Sequence, residues 1–168
     1  LLIVGLAPGR TGANRTGRPF TGDYAGDLLY ATLKKLGLAE GEYRADPEDG
    51  FTLKGAMITN AVRCAPPENK PTPEEIATCR PFLTARIAAL GQVRVLLALG
   101  SIAHESVLRA HALKPAHAKF SHGGRAALPG ERMLVSSYHC SRYNTQTRRL
   151  TPDMFETVMA RAKALAFA

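Results

Sequence analysis

Tryptophan is absent from this 168-residue chain, cysteine occurs three times, and the 14 acidic residues are outnumbered by 22 Lys and Arg. No run of about 18 apolar residues exists, so no transmembrane helix is expected. No charged leader with an apolar stretch behind it opens the chain, so no secretory signal is read. Without a sign of an oxidising compartment, Cys64, Cys79 and Cys140 are read first as free thiols rather than as a disulfide framework. Phosphate-binding fingerprints are missing as well. Residues 5–23 are rich in Gly but contain neither G-x-x-x-x-G-K-[ST] nor G-x-G-x-x-G. His139-Cys140 resembles the start of a phosphatase loop, yet Gln146 stands where the phosphate-binding Arg would have to be. Cys140 is therefore read as a packing residue rather than a nucleophile. Asp46, Glu48 and Asp49 share a polar loop without the motifs of a metal-dependent phosphoester hydrolase.

The charge balance that remains is +8, with a pI near 9.8. A basic chain favours polyanionic partners, because each phosphate it neutralises releases counterions. The arginines are grouped: Arg10, Arg15 and Arg18 fall in the first Gly-rich segment, and Arg142, Arg148 and Arg149 in a second segment, residues 138–149. Both segments follow apolar runs and are dense in Gly, Asn, Thr and Arg, residues that grip phosphate or a planar polar ligand. Loops after strand C-termini are where open α/β sheets place their sites.

Strands are read at residues 1–6, 56–62, 93–99 and 133–137. Helices are read from Tyr24 to Leu36, from Pro73 to Leu90, from Ser101 to about His111, and after Thr151, an N-cap candidate. Residues 39–50 read as a polar surface loop, and residues 65–73 as an irregular Pro-rich one. Strands alternating with helices imply a parallel sheet covered on both faces. One domain is expected over residues 1–168. The start on Leu1-Leu-Ile-Val, inside a strand and without Met, leads us to expect residues upstream.

Three residues carry alternative readings. Phe20 is either an aromatic face for a ligand or part of the core. His139, just past a strand end, is either functional or structural. Asp23 either acts in the site or merely caps the helix from Tyr24.

Three ordered motifs resemble one family. Gly5-Leu-Ala-Pro with Gly12-Ala-Asn-Arg-Thr-Gly-Arg-Pro-Phe-Thr-Gly-Asp23 is similar to the first motif of the B-type (family 5) uracil-DNA glycosylases. Thr59-Asn60-Ala-Val-Arg-Cys64, the Pro-rich loop and Glu75 to Cys79 resemble that family's middle region. His139-Cys-Ser-Arg-Tyr-Asn-Thr-Gln-Thr-Arg-Arg-Leu-Thr151 resembles its second motif. The resemblance covers nearly the whole chain. It implies a three-layer α/β/α sandwich around a four-stranded parallel sheet, and excision of uracil or other deaminated or damaged bases from DNA. It also implies a [4Fe-4S] cluster held by Cys64, Cys79 and two cysteines upstream of residue 1. The setting it implies is a prokaryotic cytosol or nucleoid, with DNA as partner, no membrane, and a monomeric enzyme.

The chemistry gives each residue a task. A base inside a duplex must be flipped out before its glycosidic bond can be reached. Phe20 would stack on it, and the Asn60 amide suits uracil's O4 and N3–H edge. His139 would donate a hydrogen bond to O2 as charge develops there, with backbone amides around Leu6 and Ala7 assisting. Better-known uracil glycosylases place a water-positioning Asp or Asn where Ala7 stands. Asp23 is the candidate for that role, with Asn14 in reserve. Ser101, Arg142, Asn144, Gln146 and Arg148 are the candidate DNA contacts, and Arg142 or Tyr143 the wedge that fills the gap in the stack. No lysine lies in the core motifs to form a Schiff base, so no lyase step is expected. The alternative is a damage- or single-strand-binding protein on the same fold without turnover.

Overall fold

The computed structural model describes residues 1–168. Its first strand, β1 (Leu2–Gly5), is apolar throughout and buried throughout. A loop with one helical turn, α1 (Ala13–Thr16), leads to α2 (Tyr24–Lys35). A hairpin follows, made of β2 (Ala39–Glu40) and β3 (Thr52–Leu53), and then β4 (Met57–Asn60). Beyond the Pro-rich loop come α3 (Pro73–Ala89), β5 (Val95–Leu99) and α4 (Ser101–Ala110). The chain closes with β6 (Arg125–Leu128), β7 (Arg132–Ser137), α5 (Arg142–Gln146) and α6 (Pro152–Ala166).

The main sheet has the order β4-β1-β5-β7-β6. Its first four members run parallel, as expected, and β6 adds an antiparallel edge strand beside β7. Side-chain alternation splits the core in two. Ile3, Leu97, Leu99 and Val135 face α2, α6 and the hairpin. Leu2, Val4, Leu96, Ala98 and Leu134 face α3 and α4. That period-2 division of continuous apolar strands is what a doubly covered parallel sheet requires. Truncating a fully buried member such as Leu97 to Ala costs about 2–5 kcal/mol.

Caps fix where the helices begin. Thr72 and Glu75 form a reciprocal capping box at α3, and Thr151 accepts from Met154 N–H at the start of α6. Register does the rest. Gly5 pairs with Asn60 and Leu99 with Ser137, so the four parallel strands end along one edge and deliver their loops to a common cleft.

Candidate active site

At that edge Gly5 brings two predicted ligand residues together. A Cβ on Gly5 would stand 2.5 Å from Asn60 Oδ1 and 2.6 Å from Phe20 Cζ, so only glycine lets both approach the strand end. Asn60 Oδ1 is buried and has no hydrogen-bond partner. An acceptor left in that condition costs about 1–3 kcal/mol, which a donor on a ligand recovers. The Phe20 ring lies 5.9 Å from the His139 ring at an angle of 29°. Phe20 is 6% exposed and joins the core cluster, and it also borders the cleft.

The cleft is a cavity of about 470 Å³, bordered by Leu6, Ala7, Phe20, Asp23, His139 and Arg142 among others. Burial pushes the His139 imidazole down to about 4, so it is neutral at pH 7 and donates through a ring N–H rather than as a cation. The two oxygens of Asp23 lie in different surroundings. One carboxylate oxygen caps α2 by accepting from Gly26 N–H at 3.2 Å. The other lies against Gly9 and Gly12, on the cavity wall, and burial raises the carboxyl's pKa. Asn14, by contrast, is exposed on α1. It borders a separate depression with Asn60 and is not brought together with Asp23 or His139.

The backbone at Phe20 has φ +55°, in the left-handed region that a non-glycine residue occupies only under constraint. Of the arginines grouped in the first Gly-rich segment, Arg18 is engaged inside the fold. Arg18 donates twice, at 2.8 Å each, to Asp49, whose side chain is fully covered. The paired guanidinium holds the Asp49 carboxyl well below the usual carboxylate range. Asp49 lies in the segment read as a polar surface loop, and nothing local marks it as the one acid of that loop that turns inward. Tyr43 lies in the same segment and was missed for the same reason, whereas Tyr30 reaches the cluster from α2.

The second motif divides in a similar way. Ser101 is exposed at the first turn of α4, and Arg142, Tyr143, Gln146 and Arg148 are exposed on or just after α5. Tyr143 is 70% exposed, the largest fraction among the large apolar side chains left in the open. The Asn144 amide donates to the His139 carbonyl at 2.8 Å. It holds that residue's backbone, and it also borders a cavity with Ser101 and His139. Ser141 caps α5 by accepting from Asn144 N–H, which orients the same turn. Cys140 is wholly buried, and burial pushes its thiol up to about 12, in keeping with a packing role.

Cys64 and Cys79 both border a cavity of about 440 Å³ walled by the Pro-rich loop and the start of α3. Arg63 N–H donates to Cys79 Sγ at 3.5 Å, the kind of bond that steadies a metal-bound sulfur. The pair fits half of a four-thiolate site. Cys140 cannot complete it, because it is packed in the core on the other face, with α2 and α6. Nowhere do three His, Cys, Asp or Glu side chains gather as a metal site. No helix is long and apolar enough to cross a membrane.

The pattern of the uracil DNA glycosylase superfamily matches residues 1–163. A type-5 uracil-DNA glycosylase of Thermus thermophilus is 49% identical over 166 residues, covering 99% of this chain and 75% of its own length. Its counterpart in Mycobacterium bovis is 45% identical over 168 residues, covering 99% of this chain and 63% of its own. The one in Pyrobaculum aerophilum is 40% identical over 164 residues, covering 98% and 71%. The chain thus spans between three fifths and three quarters of the length of these relatives. With an aromatic ring, an unpaired amide acceptor and a neutral imidazole gathered at the ends of a parallel sheet, it belongs to the uracil DNA glycosylase superfamily.

Proposed function

We propose that this chain is the catalytic domain of a monofunctional glycosylase that excises uracil from DNA for base excision repair. The observation that carries the reading is Asn60 Oδ1, buried, unpartnered and set beside the Phe20 ring at Gly5. An extruded uracil stacks on Phe20 and donates its N3–H to this oxygen, while the amide nitrogen donates to O4. Other deaminated bases that present the same carbonyl and N–H edge belong to the same substrate class.

Cleavage breaks the bond between C1′ and N1, and the electron pair leaves with the base. Neutral His139 donates a hydrogen bond to O2, where the charge settles, and the Leu6 and Ala7 amides add to that stabilisation. The Asp23 oxygen on the cavity wall orients the water whose oxygen bonds to C1′ and offsets the positive character of the sugar. The water's proton passes to Asp23 or to solvent. No lysine borders either cavity beside His139, which supports hydrolysis over a Schiff-base lyase route. Ser101, Arg142, Gln146 and Arg148 hold the backbone of the DNA, and Tyr143 fills the space left by the extruded base. The enzyme works as a monomer.

Cys64 and Cys79 would hold one side of a [4Fe-4S] cluster, whose other two thiolates residues 1–168 do not supply. Through Cys64 and Cys79, such a cluster would tie the Pro-rich loop to α3. It has no part in the chemistry derived above.

The test is excision from end-labelled DNA carrying one uracil, opposite G, opposite A or single-stranded. Strand cleavage after alkali, at the uracil alone, is expected. Tight salt-sensitive binding without abasic product would instead support a binding protein on this fold. Asn60→Ala should lower excision far more than DNA affinity, and an equal loss of both would remove Asn60 from base recognition.

A further inference from the structure

We propose that Tyr43 and Asp49, from the loop between β2 and β3, act with Arg18 as positioning residues that hold the Phe20 ring in the orientation that receives the extruded base. This rests on the reading that Phe20 stacks on that base. The hairpin has no part in the family-like motifs, and neither residue borders the cleft around Phe20 and His139.

Three consecutive residues around Phe20 are each held by a different member of the cluster. The Tyr30 hydroxyl donates to the Pro19 carbonyl. The Tyr43 hydroxyl donates to the Phe20 carbonyl at 3.2 Å. Arg18 Nε donates to Thr21 Oγ1 at 2.7 Å. The guanidinium that makes the last of these bonds sits 5.4 Å from both tyrosine ring centres. Asp49 fixes it from the far side, and the same carboxylate also accepts from the backbone of Arg44 and Phe51 at 2.9 Å each. The rings of Tyr30 and Tyr43 stack at 4.5 Å, with Phe51 edge-on to both, so the cluster has little freedom to repack.

What this arrangement secures is geometry. A covered ion pair is a weak source of stability in its own right, because desolvation offsets its attraction. A left-handed φ at a non-glycine residue, however, persists only where the surroundings over-determine it. Phe20 has such a φ, and its carbonyl is the one that Tyr43 grips. Gly26 completes the fit: any side chain there would collide with the Phe20 carbonyl and stand 2.8 Å from the Tyr43 hydroxyl. Helix α2, the hairpin and the first motif therefore converge on one peptide unit.

The experiment is a double-mutant cycle read by single-turnover excision of uracil under enzyme excess, with DNA affinity measured beside it. Tyr43→Phe keeps the ring and removes one hydroxyl. It should slow excision about fivefold, and Asp49→Asn about tenfold, with DNA affinity changed by less than about twofold. In a Phe20→Ala background, each change should have almost no further effect, because the group it positions is gone. Additive losses in the two backgrounds would overturn the proposal, as would unchanged excision in Tyr43→Phe. Should Asp49→Asn not fold, Tyr43→Phe alone decides. If Phe20→Ala itself leaves excision unchanged, base stacking on Phe20 fails and the positioning role falls with it. That result is separable from the case in which Phe20 matters and Tyr43 does not.

Discussion

The two halves of the cleft are built from similar residues to opposite ends. Residues 18–21 contain an arginine, an aromatic ring and a threonine, and none of them is exposed: Phe20 and Thr21 are buried, Arg18 and Pro19 are half-buried, and Arg18 is tied to an acid 31 residues away. Residues 142–148 also contain arginines, an aromatic ring and threonines, and most of them are exposed. Their side-chain hydrogen bonds go mainly to their own turn, such as Thr145 to the Ser141 carbonyl and Thr147 to the Tyr143 carbonyl. On the proposed reading, the half that meets the base is held by many internal bonds, and the half that meets the DNA backbone is left open to solvent. Precise geometry matters where a small planar base is recognised, whereas phosphate contacts tolerate looseness.

Substitutions that take apart one half at a time can break or sharpen this contrast. The largest effect belongs to His139, which in the proposed mechanism touches the developing charge: His139→Ala should lower the single-turnover rate by about a hundredfold or more without weakening DNA binding. An unchanged rate would take His139 out of the mechanism. Next comes Arg18→Ala, which leaves the covered Asp49 carboxylate without its cation and should cost about 3–5 kcal/mol in urea unfolding. The matched change Arg148→Ala, on the exposed side, should move stability by less than about 0.5 kcal/mol. Its mark should be on DNA binding instead. Removing Arg142 or Arg148 should each reduce the slope of log affinity against log salt by about one, for uracil-containing and normal DNA alike.

The last effect concerns acid. With the folded His139 at about 4 and an ordinary imidazole at 6.5, the unfolded chain takes up its proton first. Stability on this account is intact above pH 6.5 and declines as pH falls toward 4. His139→Ala should flatten that part of the pH–stability curve, as followed by thermal melts, and a curve of unchanged shape would contradict the buried neutral imidazole.

Much of this was legible because it is local. The apolar runs of β1, β5 and β7, the caps Asp23 and Thr151, and Pro73 opening α3 all announce themselves within a few residues. Asn60 and His139 could be singled out because each lies at or just beyond a strand end, and Phe20 because it stands in a Gly-rich family-like motif ahead of α2. Strand β6 was illegible: Arg-Ala-Ala-Leu is too short and too mixed to read as a strand, and it exists by pairing with β7. The inward turn of Asp49 depends on Arg18, and that of Asn144 on the carbonyl of His139. Spacing cannot distinguish Arg18 from Arg142, because what separates them is a partner brought near only by folding.

The buried thiol of Cys140 has a consequence of its own. It neighbours His139 directly in the chain, has no exposed surface, and with a pKa near 12 is almost entirely protonated at neutral pH. An alkylating reagent can reach it only after the peptide beneath the imidazole has left its place. Its labelling rate is therefore a clock for how often the segment after β7 that carries His139 comes apart, kept by an atom to which the proposed mechanism gives no part.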